Sequence, residues 1–172
     1  FSQCAGNTNN QSANAPAQAG LSGMKIAYVE IDTLLAKYNF CIDLNEAMVK
    51  KSENVRLTLN QKAAELDKQK QEFQTKYQNN AYLSQERAQQ EYNRIAKLEQ
   101  DLQALSNKLQ SELMSENEKN SLQLRDSINS FLKEYNKTKG YSMIISNTGF
   151  DNLLYADSVY NITKEILEGL NA

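Results

Sequence analysis

Apolar positions change their rhythm twice along this chain. Residues 25 to 31, KIAYVEI, alternate and are rich in β-branched and aromatic side chains, which predicts a short strand. Asp32 then stands where it can cap a brief helix, TLLAKY. From Met24 to Lys139 there follow 116 residues with neither Gly nor Pro. So long a stretch without a breaker belongs to long helices rather than to a globule.

Two helices are predicted inside that stretch. The first is expected to start at DLNE, with Asp43 accepting orphan N–H groups and Glu46 reaching back as in a capping box. Leu44, Met48, Val55, Leu59, Leu66, Phe73 and Tyr77 then fall on one stripe. The signal lapses at NNAYL. Ser84 is the expected N-cap of the second helix, with Glu86 favourable in its first turn. Its stripe is sharper: Ile95, Leu98, Leu102, Leu105 and Leu109 alternate spacings of three and four, an a/d seam. The seam resumes as Leu124, Ile128, Phe131 and Tyr135, and Gly140 suits a left-handed C-cap. Two rods joined by so short a turn must fold back antiparallel. A turn centred near residues 81 and 82 sets Leu113 beside Lys50 and Asn117 beside Glu46. SENEKNS, residues 115 to 121, interrupts the seam where the hairpin leaves the body; it reads either as an exposed helical face or as a pivot. Residues 122 to 138 have no partner on the first helix and are expected to pack on the body.

Beyond Gly140 the rhythm changes again. YSMIIS predicts a strand, NTGFDN a turn and LLYA a second short strand. Asn161 is expected to cap a last helix with Ile162, Ile166, Leu167 and Leu170 on one face. Asn161 and Thr163 also form an Asn-x-Thr triplet, for which a cap is the preferred role. The expected fold is therefore α+β and mostly α: a helical-hairpin arm over 44–138, and a small β body from 24–43 and 139–172. Three short strands cannot close a sheet. The simplest cover for their open edges is other copies of the same chain. Ile26, Tyr28, Met143, Ile144 and Ile145 are the candidate residues for that assembly, with the body they build buried only in the oligomer.

Composition narrows the function. Residues 1 to 23 are small and amide-rich and hold three of the six glycines and the single proline, which predicts a disordered tether. The chain starts at Phe, and Phe-Ser-Gln-Cys before a polar linker resembles the end of a bacterial lipoprotein signal, with Gln where a small residue is usual. Cys4 is thus a candidate for lipid attachment, and Cys41 reads as a packed thiol. The chain has no His and no Trp, no phosphate-cradling Gly-rich loop and no apolar run long enough to span a bilayer. Its net charge of −2, without a basic tract, lacks the footprint of a nucleic-acid binder. Carboxylates are dispersed at helix-surface spacing. No constellation for catalysis, metal or cofactor is present, and the reading is non-enzymatic.

KIAYVEIDTLLAKYNF, then a Gln/Lys/Glu-rich helical hairpin, then GYSMIIS…NLLYADSVYNITKEILEGLN together resemble the OmpH/Skp family of periplasmic chaperones over residues 24 to 171. The resemblance implies a homotrimer whose strands form a small barrel-like body, with three helical arms around a cavity. It implies an ATP-independent holdase for unfolded outer-membrane proteins in the periplasm of a Gram-negative bacterium. The best-known members are strongly basic, whereas residues 44 to 138 here carry 15 Lys/Arg and 14 Asp/Glu. Holding is then expected to rest on short-range apolar and amide contacts rather than on charge. The candidate client-binding residues are Phe73, Tyr77, Tyr82, Leu83 and Tyr92. Seam packing is the favoured role for Phe73, Tyr77 and Tyr92, whereas client contact is favoured for Tyr82 and Leu83, which fall in the turn. The rival function is an oligomeric coiled-coil spacer or envelope tether fixed at Cys4.

Overall fold

A computed structural model describes residues 23–149 and 152–172. In chain order the elements are β1 (Ile26–Glu30), α1 (Ile31–Lys37), α2 (Asn39–Gln78), α3 (Gln85–Lys139), β2 (Met143–Asn147), one turn of 3-10 helix at Ser158–Tyr160, and α4 (Thr163–Leu170). The predicted cap residues of α3 are both in place. Ser84 Oγ accepts from the Arg87 N–H at 3.2 Å, and Gly140 closes the helix at φ 69°. Asn136 then fixes the exit from α3: its Oδ1 accepts from the Tyr141 N–H at 2.7 Å and its Nδ2 donates to the Tyr141 carbonyl at 2.9 Å.

The start of α2 differs from expectation. The helix begins at Asn39, so Asp43 and Glu46 lie inside it and form no capping box. Tyr38, at φ −77° and ψ 115°, separates α1 from α2 and offers no side-chain cap. The cap comes instead from the far end of the chain: Asn171 Oδ1 accepts from the Asn39 N–H at 2.9 Å, and Asn171 Nδ2 donates to the Lys37 carbonyl at 3.0 Å. Helix α1 likewise begins one residue before the expected cap, with Asp32 in its first turn and no side-chain cap. Asn161 does serve the last helix, its Oδ1 accepting from the Thr163 N–H at 3.0 Å and the Thr163 hydroxyl at 2.6 Å.

Strands β1 and β2 pair in parallel, Ile26 with Met143 through Glu30 with Asn147. A parallel pair requires a long crossover, and here that crossover is the entire helical hairpin. The other side of β1 is also taken. The Tyr28 carbonyl accepts from the Ile162 N–H at 3.0 Å, and the Glu30 N–H donates to Thr163 Oγ1 at 2.8 Å. The expected third strand at LLYA is not formed: Leu153–Ala156 has no regular structure. What flanks β1 is the entry to α4, so β1 is central and no strand among the described residues covers the second edge of β2.

The body has its own core. Leu34 of α1 and Ile166 of α4 are fully enclosed, joined by Ala27, Val29, Tyr38, Cys41, Ile162 and Ile128. Leu124, Phe131, Leu132 and Tyr135 pack against it. The last third of α3 is thus body rather than free hairpin. Tyr28 is buried within the single chain, which corrects the expectation that it would be covered only in an oligomer. Ile144 is half-buried against the same core, and Met143 remains exposed.

Helices α2 and α3 run antiparallel. Lys51 pairs with Glu116 at 3.0 Å and Lys70 with Glu99 at 2.7 Å, and Arg94 donates to Gln69 at 2.8 Å. Lys51 therefore meets Glu116 about one helical turn beyond the position expected from a turn at residues 81 and 82. The contact is made by two long side chains and the turn covers 79–84, so the register advances without a break. Leu66, Ala88 and Ile95 are the buried points of the seam; its other leucines are half-buried.

Candidate functional site

The seam ends in an aromatic cluster built around Phe73. Tyr77 stacks on it at 5.8 Å between ring centroids, Tyr82 tilts against it at 5.7 Å, and Tyr92 approaches from α3 at 6.1 Å. Local sequence explains each position. Phe73 and Tyr77 are four apart on α2 and share a face. Tyr92 stands two turns into α3, opposite Phe73. Tyr82 is carried back over Phe73 because the chain turns sharply after Gln78, with Asn80 left-handed at φ 51°. Phe73 is half-buried and is the hub on which the other three rings pack. Tyr77 and Tyr92 each pack with one face and leave about half of their surface open. Leu83 is 98% exposed. Beside it Tyr77, Asn80, Tyr82, Ser84, Gln85 and Ala88 line a shallow recess of about 310 Å³.

Charge at this end is balanced. Arg94 clasps Glu91 at 2.6 Å and holds its carboxylate below the ordinary range. Burial against its neighbours, with the Glu91 charge nearby, pushes the Tyr82 hydroxyl up. The phenol therefore stays neutral and keeps its O–H as a donor. The cluster offers flat apolar faces rimmed by hydroxyl and amide groups, suited to side chains of mixed character and to no particular charge.

Further up the hairpin two shallow grooves flank the seam. One is lined by Lys62, Leu66, Leu98 and Leu105, the other by Leu59, Ala63, Leu102 and Lys70. At residues 115–121 the helix continues unbroken, but apolar packing stops. Lys51–Glu116 is the ion pair there, and the Ser121 hydroxyl donates back to the Asn117 carbonyl at 2.9 Å.

The remaining sequence-predicted residues lie elsewhere. Ile26, Tyr28, Met143, Ile144 and Ile145 all stand in the two strands, at the opposite end of the hairpin from the aromatic cluster. Cys41 is buried, with Asn45 Nδ2 at 3.6 Å from its sulfur. Cys4 lies outside the described residues. Among the described residues no group of three His, Cys, Asp or Glu side chains is arranged to hold a metal ion, and no helix is long and apolar enough to cross a membrane. Sequence reading missed one surface. Leu154, Tyr155, Val159 and Tyr160 are each exposed, and the expected strand at LLYA that would have ordered the first two is absent.

The family described as "Outer membrane protein (OmpH-like)" matches residues 25–170. No curated protein matches the chain. Among solved structures, an OmpH-like protein from Caulobacter crescentus CB15, described as a candidate outer membrane chaperone and determined at 2.83 Å, is similar with a TM-score of 0.75. The two share 11% sequence identity, over 86% of this chain and 84% of the other, so that likeness speaks for the fold. The family match spans both strands, the whole helical hairpin and the last helix, and the chain belongs to the OmpH-like outer membrane protein family.

Proposed function

We propose that the protein is an ATP-independent periplasmic holdase for unfolded outer-membrane proteins. In this reading three copies join through their β bodies, and the α2–α3 hairpins hang as arms around a shared cavity. The observation that carries it is the far end of the hairpin, where Tyr77 and Tyr92 leave about half of their surface open around Phe73, Tyr82 lies half-buried beside them, and Leu83 stands bare in solvent. A soluble surface has no structural need for a bare Leu beside three tyrosines. An unfolded β-barrel chain, alternating apolar and polar side chains, offers partners for both ring faces and hydroxyls. Each contact is weak. Confinement among three arms raises effective concentration, so many such contacts hold a client without a deep pocket.

The near-neutral arm supports short-range holding over long-range attraction. The rival reading, a rigid spacer or envelope tether, calls for a continuous seam, and the apolar gap at 115–121 speaks against it. Cys4 is proposed as a lipid anchor. Mass spectrometry of the protein from its native cells should find it acylated, and an unmodified Cys4 would end that part of the reading.

The test of the holdase is retention of a urea-unfolded outer-membrane β-barrel protein after dilution, followed by light scattering. The wild type should suppress aggregation at substoichiometric amounts. Tyr82→Ser with Leu83→Ser should weaken protection about five- to thirty-fold, as expected for loss of roughly 1–2 kcal/mol of contact, with the stability of the distant β body nearly untouched. Equal protection by the double variant would move the binding surface up the hairpin. No protection by the wild type would favour the spacer.

A further inference from the structure

The recess beside the turn at 79–84 combines three kinds of wall. Tyr77 and Tyr82 supply ring surface, Ala88 a buried methyl group, and Asn80, Ser84 and Gln85 amide and hydroxyl groups. The Ser84 hydroxyl is engaged with the Arg87 N–H, so hydrogen bonding to a guest falls to the exposed amides of Asn80 and Gln85. The rim is held in place. Asn79, Asn80 and Ala81 donate their N–H groups to the carbonyls of Thr75, Tyr77 and Lys76 at 3.1, 3.2 and 2.9 Å. Tyr82 is fixed against Phe73 at 5.7 Å between ring centroids. The charges that act on Tyr82, those of Glu91 and Arg94, are paired with each other at 2.6 Å.

We infer that this recess selects client side chains that join an aromatic ring to a hydrogen-bonding tip, Tyr and Trp, over aliphatic ones. The inference rests on the holdase reading above and names the part of a client that the hairpin grips. A guest ring can stack on or tilt against Tyr77 and Tyr82, as those rings do with Phe73, while its O–H or N–H meets the Asn80 or Gln85 amide. A leucine fills the same space but strips water from the amides and returns no hydrogen bond. A site built to hydrogen-bond a guest's OH or NH therefore discriminates against analogues that lack it. Leu83 does not line the recess, so its contact adds grip without selection. The client class supplies the matching feature. Outer-membrane barrels carry girdles of aromatic residues at both membrane interfaces, and Tyr and Trp are the residues enriched at such interfaces. Those girdles are handles shared by barrels of unrelated sequence. A tip that reads them recognises the class rather than one member.

Capped Gly/Ser peptides carrying one guest residue, Tyr, Trp, Phe, Leu or Arg, test this when titrated into the full chain and followed by backbone amide NMR shifts over residues 77–88. Tyr and Trp guests should bind about fivefold or more tighter than Leu, and Tyr about threefold or more tighter than Phe. Asn80→Gly with Gln85→Ala removes both amides, and Gly is at home in the left-handed backbone of Asn80. That variant should bring Tyr level with Phe. A loss that weakens every guest alike would make the amides part of the turn's structure and overturn the inference. A second measurement uses the proposed client. An unfolded outer-membrane β-barrel protein whose Tyr and Trp residues are replaced by Leu should leave the wild type about threefold faster than its parent, and the double variant should release the two at one rate. A Leu guest that binds as tightly as Tyr, or an Arg guest that binds tightest, overturns the inference and leaves the holdase reading standing, because the aggregation assay reads retention of any client. A wild type that suppresses no aggregation overturns both.

Discussion

Gly169 of α4 lies directly on the ring of Phe131: a Cβ added to it would stand 2.3 Å from Phe131 Cζ and 2.8 Å from Cε2. The last helix is seated on α3 by that close approach, and α4 in turn presents Ile166 to the core and Thr163 to β1. Phe131 is not free to withdraw, since it stacks on Tyr135 at 5.9 Å. Helix propensity alone predicts that Gly169→Ala stabilises by about 1 kcal/mol. Overpacking costs about 1–3 kcal/mol and should win. Gly169→Ala is therefore expected to lower the melting temperature by several degrees. Phe131→Leu in the same chain should recover part of the loss. An alanine variant that melts higher than wild type would mean that α4 does not press on Phe131 in solution.

The cap that Asn171 places on α2 yields a prediction of opposite kind for two residues. Asn171→Ala removes both the bond to the Asn39 N–H and the bond to the Lys37 carbonyl, at a cost of roughly 1–2 kcal/mol. Asp43→Ala, at the expected cap that the fold does not use, should change stability by less than about 0.5 kcal/mol. Urea titration of the two variants decides between the two helix starts. A large loss for Asp43→Ala would restore the capping box.

Residues 114–121 should be the least protected part of α3 in amide hydrogen exchange. The helix is continuous there, but the exposed Lys51–Glu116 pair takes the place of apolar packing, and an exposed pair contributes little. The flanks differ. Residues 98–109 pack on α2, and 124–135 pack on the body core. Poor lateral packing gives low local stability and lets a hairpin swing without breaking. Asn117→Leu with Asn120→Leu should raise protection across 114–121 and narrow the size range of clients held. Protection equal to that of the flanks would leave no pivot.

Stability should be flat around neutral pH and fall at both extremes. The chain has no His. The Lys139 ammonium, chiefly, holds the Glu165 carboxyl below its ordinary value of 4.5, and Lys51 does the same for Glu116. A depressed carboxyl contributes stability above its unfolded pKa and loses it as pH falls through the folded value, so the acid loss begins at about pH 4.5. Tyr135 is the alkaline counterpart. Burial, first, and then Glu165 push its hydroxyl well above the ordinary value of 10.0. A raised phenol contributes stability that is complete below its unfolded pKa and is lost as pH rises through the folded one. Melting temperatures between pH 3 and 11 check this, and Glu165→Gln should flatten the acid limb. A maximum confined to a narrow window near pH 7 would contradict it.

The helical part of this protein is written in local sequence. A span of 116 residues without Gly or Pro, an a/d seam from Ile95 to Leu109, Ser84 at one end of α3 and Gly140 at the other are short-range signals, and each acts on neighbours within a turn or two. What tertiary structure decided is where local rules had no voice. Asn39 starts α2 because Asn171, at the other end of the chain, supplies the acceptor that Asp43 offers only locally. Leu153–Ala156 has strand-like composition but no strand, because composition does not decide which edge a segment reaches; the chain runs on to the side of β1 away from β2, and there the entry to α4 takes the place. The aromatic cluster shows both limits at once. The spacing of Phe73 and Tyr77 on α2 is legible, but Tyr82 and Tyr92 meet them only because the turn and the antiparallel register bring separate segments to one point. Helices store their instructions in residues three and four apart, whereas caps, edges and clusters made across the chain depend on distances that only the folded backbone sets.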